Sequence, residues 1–254
     1  TQEKKTGAQG LKKNWLLKYK LENIKMCGFS GYVLSDNVWQ NEAQAKEDLS
    51  NISKLIYHRG PDDNGIYTNK ENKLGLAFQR LSIIDLSGDA KQPMISQSME
   101  WIIVFNGEVY NYLSLKKILS EKGISWKTSS DTEVVLECIA NYGFTKTISM
   151  LDGMFAIGAF NFKDKSLWLA RDKFGEKPIY YGEDKKRSFF FSSDLKALMA
   201  SKYFSTNINY SSATEYLRYG YVPDPLSILE NTNKLSPGRI LKYDANKKIK
   251  IDKY

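Results

Sequence analysis

Cysteine and histidine are scarce in this chain: of 254 residues, two are Cys and one is His. Cys27 and Cys138 cannot build a disulfide framework, so a reducing compartment is expected. With His58 as the lone histidine, no metal-ligand spacing exists, and neither structural nor catalytic zinc is expected. No apolar run is long enough to span a bilayer, and no leader with a small-residue cleavage site stands out. A cytoplasmic protein without a membrane partner fits these absences. No period of roughly twenty to fifty residues repeats.

What is present is ordinary for a globular chain: 42% hydrophobic and 26% charged residues, enough for one sizeable core with appendages or two small domains. The net charge of +8 invites a nucleic-acid reading until it is divided along the sequence. Residues 1–25 carry seven Lys against two Glu, and residues 233–254 carry seven Lys or Arg against two Asp, a net +5 at each end. Residues 26–232 therefore hold −2 of the total +8. A footprint for DNA or RNA belongs on the folded body, whereas this charge sits at the ends. The ends read as solvated or partner-facing, and no nucleic acid is expected.

Residues 1–25 place only Leu17, Leu21 and Ile24 at helical spacing. They read as a basic helix at a surface, as a loose tail, or as a leader, propeptide or engineered segment ahead of a true start at Met26; the last is preferred. From there the pattern predicts a strand over 28–34, a helix over 42–57 and a turn over 58–62. Strands follow over 74–85 and 101–105, flanking a polar loop at 90–98, then helices over 113–122 and 131–142. Further strands are predicted over 155–162, 166–171, 178–183 and 188–192, with a short helix over 195–199. Beyond them come a helix over 210–219, a stiff turn over 222–225 and a hairpin over 235–243 around Pro237 and Gly238. Strands, then helices, then strands point to an α+β chain with antiparallel sheet and helices outside.

Chemistry concentrates around Met26, Cys27 and Gly28. If the Met26–Cys27 bond is hydrolysed, Cys27 carries a thiol and a free α-amine on one carbon. The amine titrates near ~7.7–8.0 and the thiol near ~8.5, so close to neutrality the amine can accept the thiol proton. An internal cysteine has no such neighbour, and a lone cysteine at the head of a strand is ordinarily a small buried apolar residue.

Six pieces in order, Cys27 behind Met26, residues 58–62, residues 80–84, residues 106–108, Ser130 with Asp131, and residues 171–181, resemble the glutaminase half of glutamine-hydrolysing asparagine synthetase. That family belongs to the class II glutamine amidotransferases, within the N-terminal nucleophile hydrolases. Any one piece is nonspecific; their order carries the resemblance, which runs from Met26 to about Leu198 and more weakly to Tyr254. It implies a four-layer αββα sandwich with mainly antiparallel sheets, the nucleophile opening the first strand.

On that resemblance, Cys27 attacks the side-chain amide of L-glutamine, with its own α-amine as base and then acid. Asn106 through its amide and Gly107 through its backbone N–H are the expected oxyanion donors; taken alone, the pair also reads as a strand-ending turn. Arg80 is expected to bind the substrate α-carboxylate with a bidentate fork, and Glu108 and Asp131 to take its α-ammonium. Asp131 has a rival role as a first-turn helix carboxylate. Leu81, Ser82, Ile83 and Ile84 stand where the family lines the glutamine pocket. His58 reads as structural, with Arg59 and Gly60 shaping a loop near the site. Arg171, Asp172, Gly175 and Lys177 read as a salt-bridged turn without chemistry.

The expected division is an N-terminal extension over 1–25, an amidotransferase domain over 26–200, and a linker with hairpin over 201–254. In the family such a linker leads into a synthetase domain whose loop, rich in Ser and Gly, binds ATP with Mg. This chain has no adjacent glycine pair, so it needs no cofactor of its own, and the synthetase half is expected in cis or in trans. The resemblance leaves room for a homodimer. Two alternatives stand beside ammonia delivery to aspartate: an amidotransferase acting on another carboxylate, of a sugar or secondary metabolite, and a silent scaffold in which Cys27 stays internal.

Overall fold

A computed structural model describes residues 26–35, 38–39, 41–81, 90–204 and 206–254. Two six-stranded antiparallel sheets lie face to face. In chain order the strands are β1 (Gly28–Val33), β2 (Asp63–Asn69), β3 (Leu74–Arg80), β4 (Met94–Ile95), β5 (Trp101–Val109), β6 (Gly153–Asn161), β7 (Ser166–Arg171), β8 (Tyr180–Glu183), β9 (Phe189–Ser192), β10 (Thr232–Lys234), β11 (Arg239–Tyr243) and β12 (Ile249–Lys253). One sheet runs β10-β8-β9-β1-β3-β2 and the other β12-β11-β7-β6-β5-β4.

Strand alternation builds three apolar layers. Ile102 and Val104 of β5, Leu167 and Leu169 of β7, Leu76 and Phe78 of β3, and Phe189 and Phe191 of β9 meet between the sheets. The intervening residues Ile103, Phe105, Ile157 and Ala159 face outward to α2 (Tyr112–Ser120), α3 (Asp131–Tyr142) and α4 (Phe144–Met150). Tyr32, Ala77 and Phe190 face the other way, onto α1 (Glu42–Leu55) and α5 (Leu195–Ala200). The result is the αββα sandwich. Because both faces of the central strands are covered, 101–105 and 189–191 read as continuous apolar runs rather than alternating ones.

Several elements differ from the sequence reading. Strand β2 carries Asp63, Asn64, Thr68 and Asn69, too polar to signal a strand; it forms because every residue pairs with β3. Helix α4 follows directly on Gly143, with Phe144 and Ile148 buried against the sheet. The expected hairpin over 235–243 is instead a crossing: β10 pairs with β8 in one sheet and β11 with β7 in the other. The basic stretch 233–254 is thus no loose tail. It completes both sheets, and the exposed edge strand β12, with Lys250 and Lys253, blunts that edge. Among the described residues, no helix is long and apolar enough to cross a membrane.

Phe191 fixes how the sheets meet. A Cβ added at Gly31 in β1 would lie 2.6 Å from its ring, and one at Gly158 in β6 would lie 2.7 Å from it. One aromatic ring therefore sits in gaps left by glycines of both sheets. We expect Phe191→Ala to cost about 3–5 kcal/mol of unfolding free energy and Gly158→Ala about 1–3 kcal/mol, read by urea denaturation. Pairing Gly158→Ala with Phe191→Leu should cost less than the sum of the two single changes.

Candidate active site

Cys27 stands one residue ahead of β1. The pairing of β1 with β3 sets Gly28 opposite Gln79, and this register carries Cys27 to the residues after Gln79. The N–H of Leu81 donates to Cys27 Sγ at 3.3 Å, and Sγ lies 3.5 Å from the Leu81 carbonyl. The turn at 58–62 closes over the same corner. Gly60 permits this, since a Cβ there would meet the Arg80 carbonyl carbon at 2.5 Å and the Leu81 nitrogen at 2.7 Å. Arg59 then donates from Nε to the Cys27 carbonyl at 3.2 Å. Burial raises the Cys27 thiol pKa, opposed by the Leu81 N–H and by the charge of Arg80, while Asp131 pushes it up further.

The second sheet brings the other groups. Asn106, Gly107 and Glu108 are not a turn after β5; they lie inside it, paired with Ala156, Phe155 and Met154 of β6. Asn106 and Glu108 continue the alternating row of Ile102 and Val104 toward the first sheet, and Cys27 packs at the margin of that same layer. Asn106 is 2% exposed, and its Nδ2 has no hydrogen-bond partner among the described residues.

The far edge of β5 is paired by β4 only at Ile102 and Ile103. Beyond that, side chains serve it: Gln92 Oε1 accepts from the Phe105 N–H at 2.6 Å, and Asp131 Oδ2 from the Val109 N–H at 3.1 Å. Strand geometry puts the N–H of Gly107 between these two on one edge. Only glycine fits here, because a Cβ would lie 2.1 Å from the Met154 carbonyl oxygen.

Asp131 holds the helix-start role expected of it. It opens α3 behind the cap Ser130, whose Oγ accepts from the Thr132 N–H at 3.1 Å, and it is electrostatically coupled to Glu108 and to Cys27. Burial pushes its carboxyl up to about 6, opposed by the Val109 and Thr132 N–H groups. Arg80 is 8% exposed and acts on the thiol through its charge. Cys27, Arg80, Leu81, Glu108 and Asp131 thus share one corner, with Asn106 and Gly107 in the strand that carries Glu108. Ser82, Ile83, Ile84 and the extension 1–25 lie outside the described residues.

One basic side chain extends the expected set. Lys177 is 7% exposed, and its Nζ donates to Met26 Sδ at 2.8 Å, so its side chain reaches the residue before Cys27 rather than serving only a turn. Arg171 and Asp172 do build that turn: Arg171 donates to the carbonyls of Gly175 and Lys177 and pairs with Asp224 at 2.7 Å, while Asp172 accepts from the N–H groups of Phe174, Glu176 and Lys177. The spacing from Arg171 to Lys177 signals the turn, but nothing local reveals that its last side chain crosses to Met26. His58 is exposed, with Nδ1 3.1 Å from the Leu55 carbonyl and Nε2 3.4 Å from Asp194. Cys138 is buried in the outer apolar layer, which pushes its thiol up to about 12.

Two antiparallel sheets face to face, covered by helices on both sides and with a cysteine just ahead of a central strand of one of them, make a four-layer αββα fold. The Bacillus subtilis glutamine phosphoribosylpyrophosphate amidotransferase has it too, with a TM-score of 0.61 and 19% identity over 89% of this chain and 49% of that one. Residues 26–254 match the family described as glutamine amidotransferase domain; the chain belongs to this family and is homologous to the glutaminase half of glutamine-hydrolysing asparagine synthetases. It is 37% identical over 247 residues to a Methanocaldococcus jannaschii protein provisionally named asparagine synthetase 2, covering 90% of this chain and 46% of that one. It is 36% identical over 213 residues to asparagine synthetase 1 of Bacillus subtilis, covering 84% and 33%. The chain therefore spans between a third and a half of the length of these relatives.

The Asp131 carboxyl has a measurable signature. Its folded pKa of about 6 lies above an unfolded value near ~3.9, so between about pH 4 and pH 6 the folded chain keeps a proton that the unfolded chain has lost. Stability from this group falls as pH rises through that window, by about 3 kcal/mol in all. Asp131→Asn should remove that slope, seen as the difference between the two unfolding free energies plotted against pH.

Proposed function

We propose that this domain hydrolyses L-glutamine to glutamate and ammonia through Cys27 once the Met26–Cys27 bond has been cut. The observation that carries the reading is the sulfur held at the Leu81 backbone, with the amide nitrogen of Asn106 buried and without a partner among the described residues on the face of β5 turned toward the first sheet. The α-amine of Cys27 takes the thiol proton, and the sulfur attacks the side-chain carbonyl carbon of glutamine. Asn106 Nδ2 and the Gly107 N–H receive the oxyanion. Collapse of the tetrahedral intermediate returns the proton to the leaving nitrogen, releasing ammonia and leaving a γ-glutamyl thioester. A water, deprotonated by the same amine, then frees glutamate.

Substrate is held by its amino-acid end: Arg80 binds the α-carboxylate, Glu108 and Asp131 the α-ammonium, and Leu81 with Ser82, Ile83 and Ile84 lines the pocket. The names of the relatives support aspartate as the ammonia acceptor, activated with ATP and Mg on a synthetase domain in cis or trans. No cofactor is assigned to this chain. A nitrogen still acylated by Met26 is no base, so the intact chain is silent under this reading.

Two outcomes test it. Protein shown by mass spectrometry to begin at Cys27 should release glutamate from glutamine, and Cys27→Ala should abolish release while keeping the thermal unfolding midpoint; equal turnover with Met26 still attached would refute the proposal. Asn106→Ala should lower kcat by about 10²–10³ with KM little changed, measured by steady-state glutamate release.

A further inference from the structure

Strand β4 stops short of the site, and one side chain takes over from it. β4 pairs Ile95 with Ile102 and Met94 with Ile103; extended in the same register, it would set Gln92 opposite Phe105 and Ala90 opposite Gly107. The ladder is not extended. The backbone at Gln92 turns to β2 instead, where its carbonyl fills the space a Cβ on Gly65 would take. The Gln92 side chain then does the work of the missing strand: Oε1 accepts from the Phe105 N–H at 2.6 Å and Nε2 donates to the Phe105 carbonyl at 3.1 Å. Nε2 also donates to Thr132 Oγ1 at 3.2 Å, which ties this 7% exposed residue to the first turn of α3. The preceding residue of that turn, Asp131, holds the Val109 N–H at 3.1 Å. Gly107 lies between two clamped neighbours, with no strand beside it on this edge among the described residues.

We propose that Gln92 is a positioning residue for the oxyanion donors: its amide replaces strand pairing at Phe105, fixing β5 at Asn106 and Gly107 while leaving the Gly107 N–H open to the oxyanion. This inference rests on the glutaminase reading above. A strand carried on to Ala90 would use up the Gly107 donor, because a ladder binds every second N–H along an edge. A bare edge would leave the Phe105 N–H and carbonyl buried without partners, at a cost that favours local distortion. A single side-chain amide avoids both, since it satisfies one residue and reaches no further. Oxyanion donors act by being aimed before the charge develops, so a displacement well under the length of a bond is felt in rate.

The test uses processed protein beginning at Cys27, with Gln92→Met, which keeps the volume and removes both bonds, and Gln92→Glu, which keeps the acceptor alone. Each is checked by thermal unfolding, and Gln92→Glu carries the comparison if Gln92→Met does not fold. The kcat for glutamate release should fall about tenfold in Gln92→Met and less in Gln92→Glu, with KM little changed. Binding of L-glutamate γ-semialdehyde, whose adduct with the thiol carries the oxyanion, should weaken by the same factor. Alkylation of Cys27 by iodoacetamide builds no oxyanion and should keep its rate. Hydrogen exchange at the Gly107 amide, followed by NMR, reads the loosened edge without turnover and should quicken about tenfold in Gln92→Met. A rise in KM in place of the loss in kcat, or alkylation slowed as far as kcat, overturns the proposal. Processed wild-type protein that releases no glutamate, while its Gly107 amide responds to the substitution, would sink the functional reading alone; an active enzyme whose Gly107 amide does not respond would sink this inference alone.

Discussion

The pairing of β1 with β3 is the constraint on which the site depends. Because side chains alternate along a strand, a register slip of one residue would turn every β1 side chain to the opposite face. Phe29 would leave the inter-sheet layer and Tyr32 would leave its contact with the helices. The apolar pattern thus fixes the register, and the register carries Cys27 to Leu81. Neither Cys27 nor Leu81 has any local reason to be found beside the other, since 54 residues separate them. Cys27 is positioned by the burial of its downstream neighbours, and its hydrogen bonds with Leu81 and Arg59 follow from that register.

Charge at this corner is arranged in opposition. The thiol and the carboxyl of Asp131 are both shifted toward their neutral forms by burial, and the basic side chains of Arg59 and Lys177 are shifted the same way. Opposite charges partly offset three of these, Arg80 for Cys27, Asp194 for Arg59 and Glu108 for Lys177, and backbone N–H groups partly offset the fourth, Asp131. Such a cluster of perturbed groups is common at sites where protons move. Cys138 has no such setting, only apolar neighbours and Glu137, and its raised thiol is simply inert.

Much of this was legible in the sequence, for physical reasons. Strands buried on both faces announce themselves as apolar runs, as at 101–105 and 189–191, and Ser130 with Asp131 marks a helix start because the cap and the first-turn carboxylate are local chemistry. What escaped depends on partners far along the chain. Strand β2 is polar and exists through β3. The end of β5 read as a turn because Asn and Gly commonly make one, yet β6 holds it extended. Lys177 looked like the last member of a salt-bridged turn, and its reach to Met26 spans 151 residues.

The glycines at 31 and 158 have a consequence for the site itself. They admit the ring of Phe191 into both sheets, and a ring seated in two notches acts as a dowel that keeps the slabs from sliding past one another. Sulfur belongs to one slab and the amide of Asn106 to the other, so their alignment is as good as that peg. Chemistry at the rim of the sandwich inherits its tolerance from an aromatic plug deep inside, which touches no reacting atom.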